Sequence, residues 1–169
     1  MKTKELSNEQ MHLYFAEHVR YEMWQLLNAT DAISRQLSIH NGLQYMVVES
    51  FAIHLRNLIT FLYPYTKREE DVCAEDYFIN TEVWNKLRPK ISSILKRAKT
   101  RADKEVGHLT TSRQFGTPES KKWDVAGLTD EVMPILKLFC ESANKTSLNQ
   151  DFKPIWGQYI YTKGLRLIQ

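Results

Sequence analysis

Val48-Glu49-Ser50-Phe51-Ala52-Ile53-His54-Leu55-Arg56-Asn57-Leu58-Ile59-Thr60-Phe61-Leu62 is the stretch whose reading decides the fold. Val48, Phe51, Leu55, Leu58, Ile59 and Leu62 recur at three- and four-residue steps. At about 100° per residue, such positions fall within one broad arc of a helix. The spacing predicts a core-facing helix from about Leu43, after the turn signal His40-Asn41-Gly42, to Leu62. Tyr63-Pro64 ends it, because the residue before a proline is pushed out of the helical region.

Working outward, the chain reads as more of the same. Ser7-Asn8-Glu9-Gln10 is a capping box: the serine hydroxyl takes an early amide and the glutamine reaches back. A helix is expected from about Asn8 into Asn28-Ala29-Thr30-Asp31, reaching toward Leu37, with Leu13, Val19, Trp24 and Leu27 as apolar anchors. Residues 1–7 are expected to be a flexible terminus. Residues 64–80 read as an irregular connection with a short helical turn around Val72–Tyr77. A third helix is expected over Thr81–Leu109, kinked at Pro89 and burying Ile91, Leu95, Ala98, Ala102, Val106 and Leu109. After a loop, Thr117-Pro118 places a cap residue before a proline at the first helical position. A fourth helix, bent at Pro134, should follow to about Asn144 with Trp123, Val125, Leu128, Val132, Ile135, Leu136 and Phe139 apolar. In the tail, 145–169, Trp156-Gly157-Gln158-Tyr159-Ile160-Tyr161 alternates partly like a strand. One strand without a partner makes no sheet, so the tail is expected to pack across the bundle or engage another chain. The fold class is all-α: a single-domain bundle of four main helices with an irregular aromatic C-terminal tail.

Composition agrees. The chain of 169 residues has only six Gly and five Pro, a scarcity that favours long helices over many tight turns. Hydrophobic residues at 43% and charged residues at 25% are those of an ordinary soluble domain. Met1-Lys2-Thr3-Lys4-Glu5-Leu6 lacks the apolar run of a signal peptide, and no window nears the roughly 18 apolar residues of a membrane span. A cytoplasmic protein without membrane attachment is expected. Cys73 and Cys140 are far apart and have no metal-ligand spacing, so both are read as reduced packing residues.

The net charge of +3 is unevenly spread. Lys86, Arg88, Lys90, Lys96, Arg97, Lys99, Arg101 and Lys104 stand against Asp103 alone, a local balance of +7. Glu69, Glu70, Asp71, Glu75 and Asp76 form an acidic counterpart. A basic run of this density is either a solvated helix face or a landing strip for a polyanion.

Three constellations carry possible chemistry. Arg101 and His108 lie seven positions apart and return to nearly the same helical face, with Glu105 between them. A guanidinium grips phosphate through paired donors, and an imidazole titrates near neutral pH. Ser50, His54 and Asn57 share a second stripe, with Glu49 and Arg56 beside it. Antiparallel packing of the two helices would let His54 or Arg56 approach Glu105 and His108. Glu105-Val106-Gly107-His108 also has the Glu-x-x-His spacing of ferritin-like carboxylate sites, without the second copy such a site needs, so no metal is assigned. No nucleophile elbow, paired Cys–His or Gly-rich phosphate loop is present, and no cofactor is expected.

Arg101, six intervening residues and His108 resemble the R-x(4–6)-H signature of the HEPN superfamily of helical nucleotide-binding domains, many of them metal-independent ribonucleases of toxin–antitoxin and phage-defence systems. The residue after the arginine, polar in many active members, is Ala102 here. The resemblance implies a helical bundle and a homodimer in which two motifs meet in one cleft. His108 would then be general acid or base and Arg101 the phosphate clamp, with Glu105 beside them. Lys96, Arg97, Lys99, Lys104, His54, Arg56 and Asn57 would bind RNA, and an antitoxin-type protein would be a further partner. Segments 49–58 and 104–110 are also similar to stretches of uncharacterised bacterial helical proteins.

Two other readings compete with the ribonuclease. One is a non-catalytic helical protein-interaction module with the tail aromatics as contact points; the motif then has a structural role, Arg101–Glu105 an i,i+4 ion pair and His108 a cap or hydrogen-bonding group near the helix end. The other is a metal-dependent bundle enzyme.

Overall fold

A computed structural model of the chain describes residues 6–35, 41–107, 111–114, 117 and 121–166. All regular structure among them is helical. The first rod comprises α1 (Asn8–Tyr14), a π-helical turn (Phe15–Val19) and α2 (Arg20–Ser34) without a break. It is followed by α3 (Asn41–Leu62), α4 (Thr81–Leu87), α5 (Ser93–Glu105), α6 (Val125–Ser142) and α7 (Asn149–Arg166). Short 3-10 turns occupy Ala74–Tyr77 and Thr111–Gln114. The described residues thus form six helical rods, where the sequence pattern predicted four.

The capping box is present: the Gln10 amide donates to Ser7 Oγ at 3.2 Å and the Ser7 amide to Gln10 Oε1 at 2.9 Å. The π turn shapes the first rod. Met11, Phe15, Val19 and Met23 are all buried at successive four-residue steps, which would drift around a regular helix. A wider turn absorbs that drift. Two expected anchors, Leu13 (53% exposed) and Trp24 (44% exposed), lie outside the core, while Val19 and Leu27 are inside it.

In α3, Phe51, Leu55, Leu58, Ile59 and Leu62 are buried and Val48 is half-buried. Asn41 and Gly42, read as a turn, belong to the helix. The helix expected over Thr81–Leu109 is two helices, α4 and α5. Arg88 precedes Pro89 and takes an extended conformation (φ −63°, ψ 136°), which stops α4 instead of kinking it. Ser92 then starts α5, its Oγ accepting from the Leu95 amide at 3.2 Å. Leu109 lies outside the described residues.

α6 begins at Val125, not Thr117. Asp124 is its cap, accepting from the Gly127 amide at 3.0 Å, and a good aspartate cap outcompetes the upstream Thr-Pro pair. Pro118 lies outside the described residues. The tail is corrected most: 149–166 is helix, not irregular chain. Phe152, Ile155, Tyr159 and Thr162 are buried at helical spacing against α2 and α6.

The core centres on Phe139 of α6. Its ring lies 6.3 Å from Phe15, 5.2 Å from Phe61, 5.4 Å from Tyr77, 6.3 Å from Phe78 and 5.6 Å from Trp84, centroid to centroid. Both cysteines are buried and not disulfide-bonded, and burial pushes the Cys73 thiol up to about 11. Among the described residues no helix is long and apolar enough to cross a membrane.

Phe139→Ala should cost about 3–5 kcal/mol in urea unfolding, because five neighbouring rings lose a common partner. A cost below about 1.5 kcal/mol would show that the cluster collapses around the gap. The Thr30 and Thr129 hydroxyls lie 2.8 Å apart in the core, and each also faces a carbonyl of its own helix. Two protons serve three contacts. Thr30→Val should therefore cost about 1 kcal/mol, and adding Thr129→Val should cost less than a second independent loss.

Candidate functional site

The basic run divides by face. Lys86, Lys90, Lys96 and Arg97 are exposed and pair with no carboxylate among the described residues. Lys96, Arg97, Thr100, Arg101, Lys104 and Glu105 line a shallow depression on α5. Arg88 is directed inward instead: its Nη1 donates to the Leu62 carbonyl at 2.8 Å and its guanidinium lies 5.3 Å from the Tyr63 ring centre. That contact satisfies an open carbonyl at the end of α3.

Arg101 is also engaged throughout. Its Nε donates to Glu105 Oε2 at 2.7 Å, as the i,i+4 spacing predicts. Nη1 donates to the Lys122 carbonyl at 2.8 Å and Nη2 to the Lys121 carbonyl. The guanidinium stacks on Trp123 at 4.3 Å, and Trp123 meets Phe51 edge-on at 6.2 Å. Every nitrogen of Arg101 thus holds either its own helix or the entry to α6. His108, its expected partner, lies outside the described residues.

The second stripe is drawn together by residues that the sequence did not single out. His54 Nδ1 lies 2.8 Å from Glu22 Oε2, and Asn57 Nδ2 donates to the same oxygen at 3.1 Å. The Tyr21 ring meets the His54 ring edge-on at 5.7 Å. Arg56 pairs with Asp103, which also accepts from Lys99 Nζ at 3.0 Å. Nη1 of Arg56 reaches Asn57 Oδ1 at 3.5 Å, the long end of a hydrogen bond. His54–Glu22–Asn57–Arg56–Asp103–Lys99 therefore form one polar chain from α2 across α3 to α5.

The expected approach of His54 or Arg56 to Glu105 does not occur. α2 supplies the carboxylate for His54, and Asp103, two residues before Glu105, faces Arg56. Position two residues earlier on a helix rotates the side chain by about 200°, so the two acids serve different neighbours. Glu49 is exposed. No three His, Cys, Asp or Glu side chains converge in metal-binding geometry among the described residues.

Burial pushes the Asp103 carboxyl up, but hydrogen bonds from Arg56 and Lys99 outweigh it and hold the group below its ordinary range. A lowered native pKa contributes stability above the unfolded value and loses it as pH falls through the native one. Asp103→Asn should accordingly be less stable than the wild type near pH 7, with the gap closing below about pH 4. A gap independent of pH would refute the pairing. Arg101→Ala should cost about 2 kcal/mol in urea unfolding, and Arg101→Lys should recover little, because lysine cannot hold two carbonyls and stack at once.

No family model, no curated protein and no solved structure matches this chain.

Proposed function

We propose that the chain is an RNA-binding helical protein whose phosphate-facing surface is the outward side of α5. The observation that carries this reading is the division of the cations. Arg88, Lys99 and Arg101 are spent on internal partners, whereas Lys86, Lys90, Lys96 and Arg97 face solvent without a carboxylate. Cations left unpaired in one stretch attract a polyanion by displacing its condensed counterions. A cytoplasmic setting belongs to the same proposal, and the resemblance to HEPN domains adds a homodimer and an antitoxin-type partner. It also adds metal-independent cleavage with His108 as the proton-transfer group.

Within that proposal Arg101 is a positioning residue. Its donors hold the 121–123 segment against α5, so it acts through the backbone it fixes.

A second reading, a protein-interaction module, draws support from the first turns of α3. Leu43, Tyr45 and Met46 are 53%, 74% and 62% exposed there.

Fluorescence anisotropy with a labelled single-stranded RNA tests the main reading. Lys96→Glu with Arg97→Glu should weaken binding by at least tenfold at about 0.1 M salt and flatten the salt dependence. Unchanged affinity would reject α5 as the contact surface. In a cleavage assay with chelator present, His108→Ala should abolish product while the circular dichroism spectrum is retained; persistent cleavage would clear His108 of the role.

A further inference from the structure

A groove of about 330 Å³ opens between the first rod and the end of α3, close to the lower size limit of small-ligand pockets. Tyr14, His18 and Glu22 line it from one side, and Arg56 and Asn57 from the other. Tyr14 immediately precedes the π turn and His18 lies within it; their rings sit 4.7 Å apart, centroid to centroid, inclined at 57°. π turns inside α-helices recur at functional sites.

The polar groups of this groove are only partly satisfied. Glu22 uses Oε2 for both His54 and Asn57, while Oε1 meets no donor among the described residues. Arg56 commits Nε to Asp103 and Nη1 to Asn57, and Nη2 has no acceptor among them. Asp103 is shared with Lys99, so the Arg56–Asp103–Lys99 group keeps one positive charge. The connecting loop adds Glu70 and Asp71 to the lining. The groove therefore offers an aromatic wall, a carboxylate acceptor and a guanidinium donor. Its acids disfavour a run of phosphates, and Arg56 is the one arginine or lysine among the described residues that line it.

We propose that this groove binds a single unstacked nucleotide, with its base on the Tyr14–His18 wall, its exocyclic amino group donating to Glu22 and its phosphate on Arg56. This rests on the RNA reading above and deepens it. Arg56, which lines the groove, joins it to α5 through Asp103, so a strand lying on the α5 cations can turn one base into the groove. Single-stranded RNA is commonly read in this way, by splayed bases on aromatic side chains. Cytosine, adenine and guanine carry the amino donor. Uracil presents a carbonyl to the carboxylate instead and is disfavoured.

Titration of the full chain with CMP, AMP and UMP by calorimetry tests the groove, and anisotropy with C8, A8 and U8 oligonucleotides tests its link to RNA. CMP and AMP should bind saturably and more tightly than UMP. His18→Ala, an exposed position, should weaken CMP about tenfold through lost stacking. Glu22→Gln should erase the preference over UMP, since an amide both donates and accepts. Equal binding of CMP and UMP, no saturable binding, or an unaffected His18→Ala would overturn the proposal. CMP binding without any oligonucleotide binding would uphold the groove as a site for free nucleotide and reject the RNA reading.

Discussion

The ring of Phe139 is the point on which the rest of the molecule depends. Five aromatic rings surround it, brought from the π turn, from α3, from the 74–79 connection and from α4. An irregular connection of this length would otherwise have no fixed path. Tyr77 pins it further: its hydroxyl donates to the Met11 carbonyl at 3.1 Å, and its own carbonyl accepts from the amides of Asn144 and Lys145. The Trp84 indole donates to the Leu62 carbonyl at 3.3 Å. One apolar cluster thus sets where the end of α3, the start of α4 and the link between α6 and α7 lie. Edge-to-face rings supply direction as well as burial, which gives such a cluster a preferred geometry.

Polar contacts complete what the rings begin. α5 has few large apolar residues facing inward, with Leu95, Ala98 and Ala102 buried. Its position is held by side-chain pairs at its edges: Arg56 with Asp103 on the α3 side, and Arg101 on the backbone leading into α6. The same helix therefore presents two classes of cation. Those near the core are fixed by carboxylates, carbonyls and rings, and contribute to architecture. Those facing outward keep their charge for solvent or a polyanion. A local balance of +7 read from the chain says nothing of this division, because it depends on which neighbours come within reach.

The legible parts of the fold were those set by neighbours in the chain. The Ser7 cap, the α3 stripe, the turn near 74–77 and the Arg101–Glu105 pair all follow from spacings of three or four residues. Errors arose where a local signal competed with a distant one. Pro89 separates two helices because α5 has its own cap in Ser92, while Asp124 displaced Thr117 as a helix start. The tail shows alternation over six residues, yet its apolar set fits helical spacing once α2 and α6 are there to receive it. Leu13 and Trp24 lie off the face that buries Met11 and Met23, two residues and one residue away on their own helices, and an apolar side chain alone does not reveal which face meets the core.

The sequence by itself determined the helical class, the caps, the core stripe of α3 and the concentration of positive charge between Lys86 and Lys104. These depend on backbone periodicity and on charges counted along the chain. Tertiary structure alone decided that Glu22 serves His54, that Asp103 serves Arg56, and that the guanidinium of Arg101 closes on the backbone before α6. Such pairings require two helices to meet at a particular register and rotation. That register is set by how bulky side chains fill the space between rods, a property of the packed whole that no single stretch of chain contains.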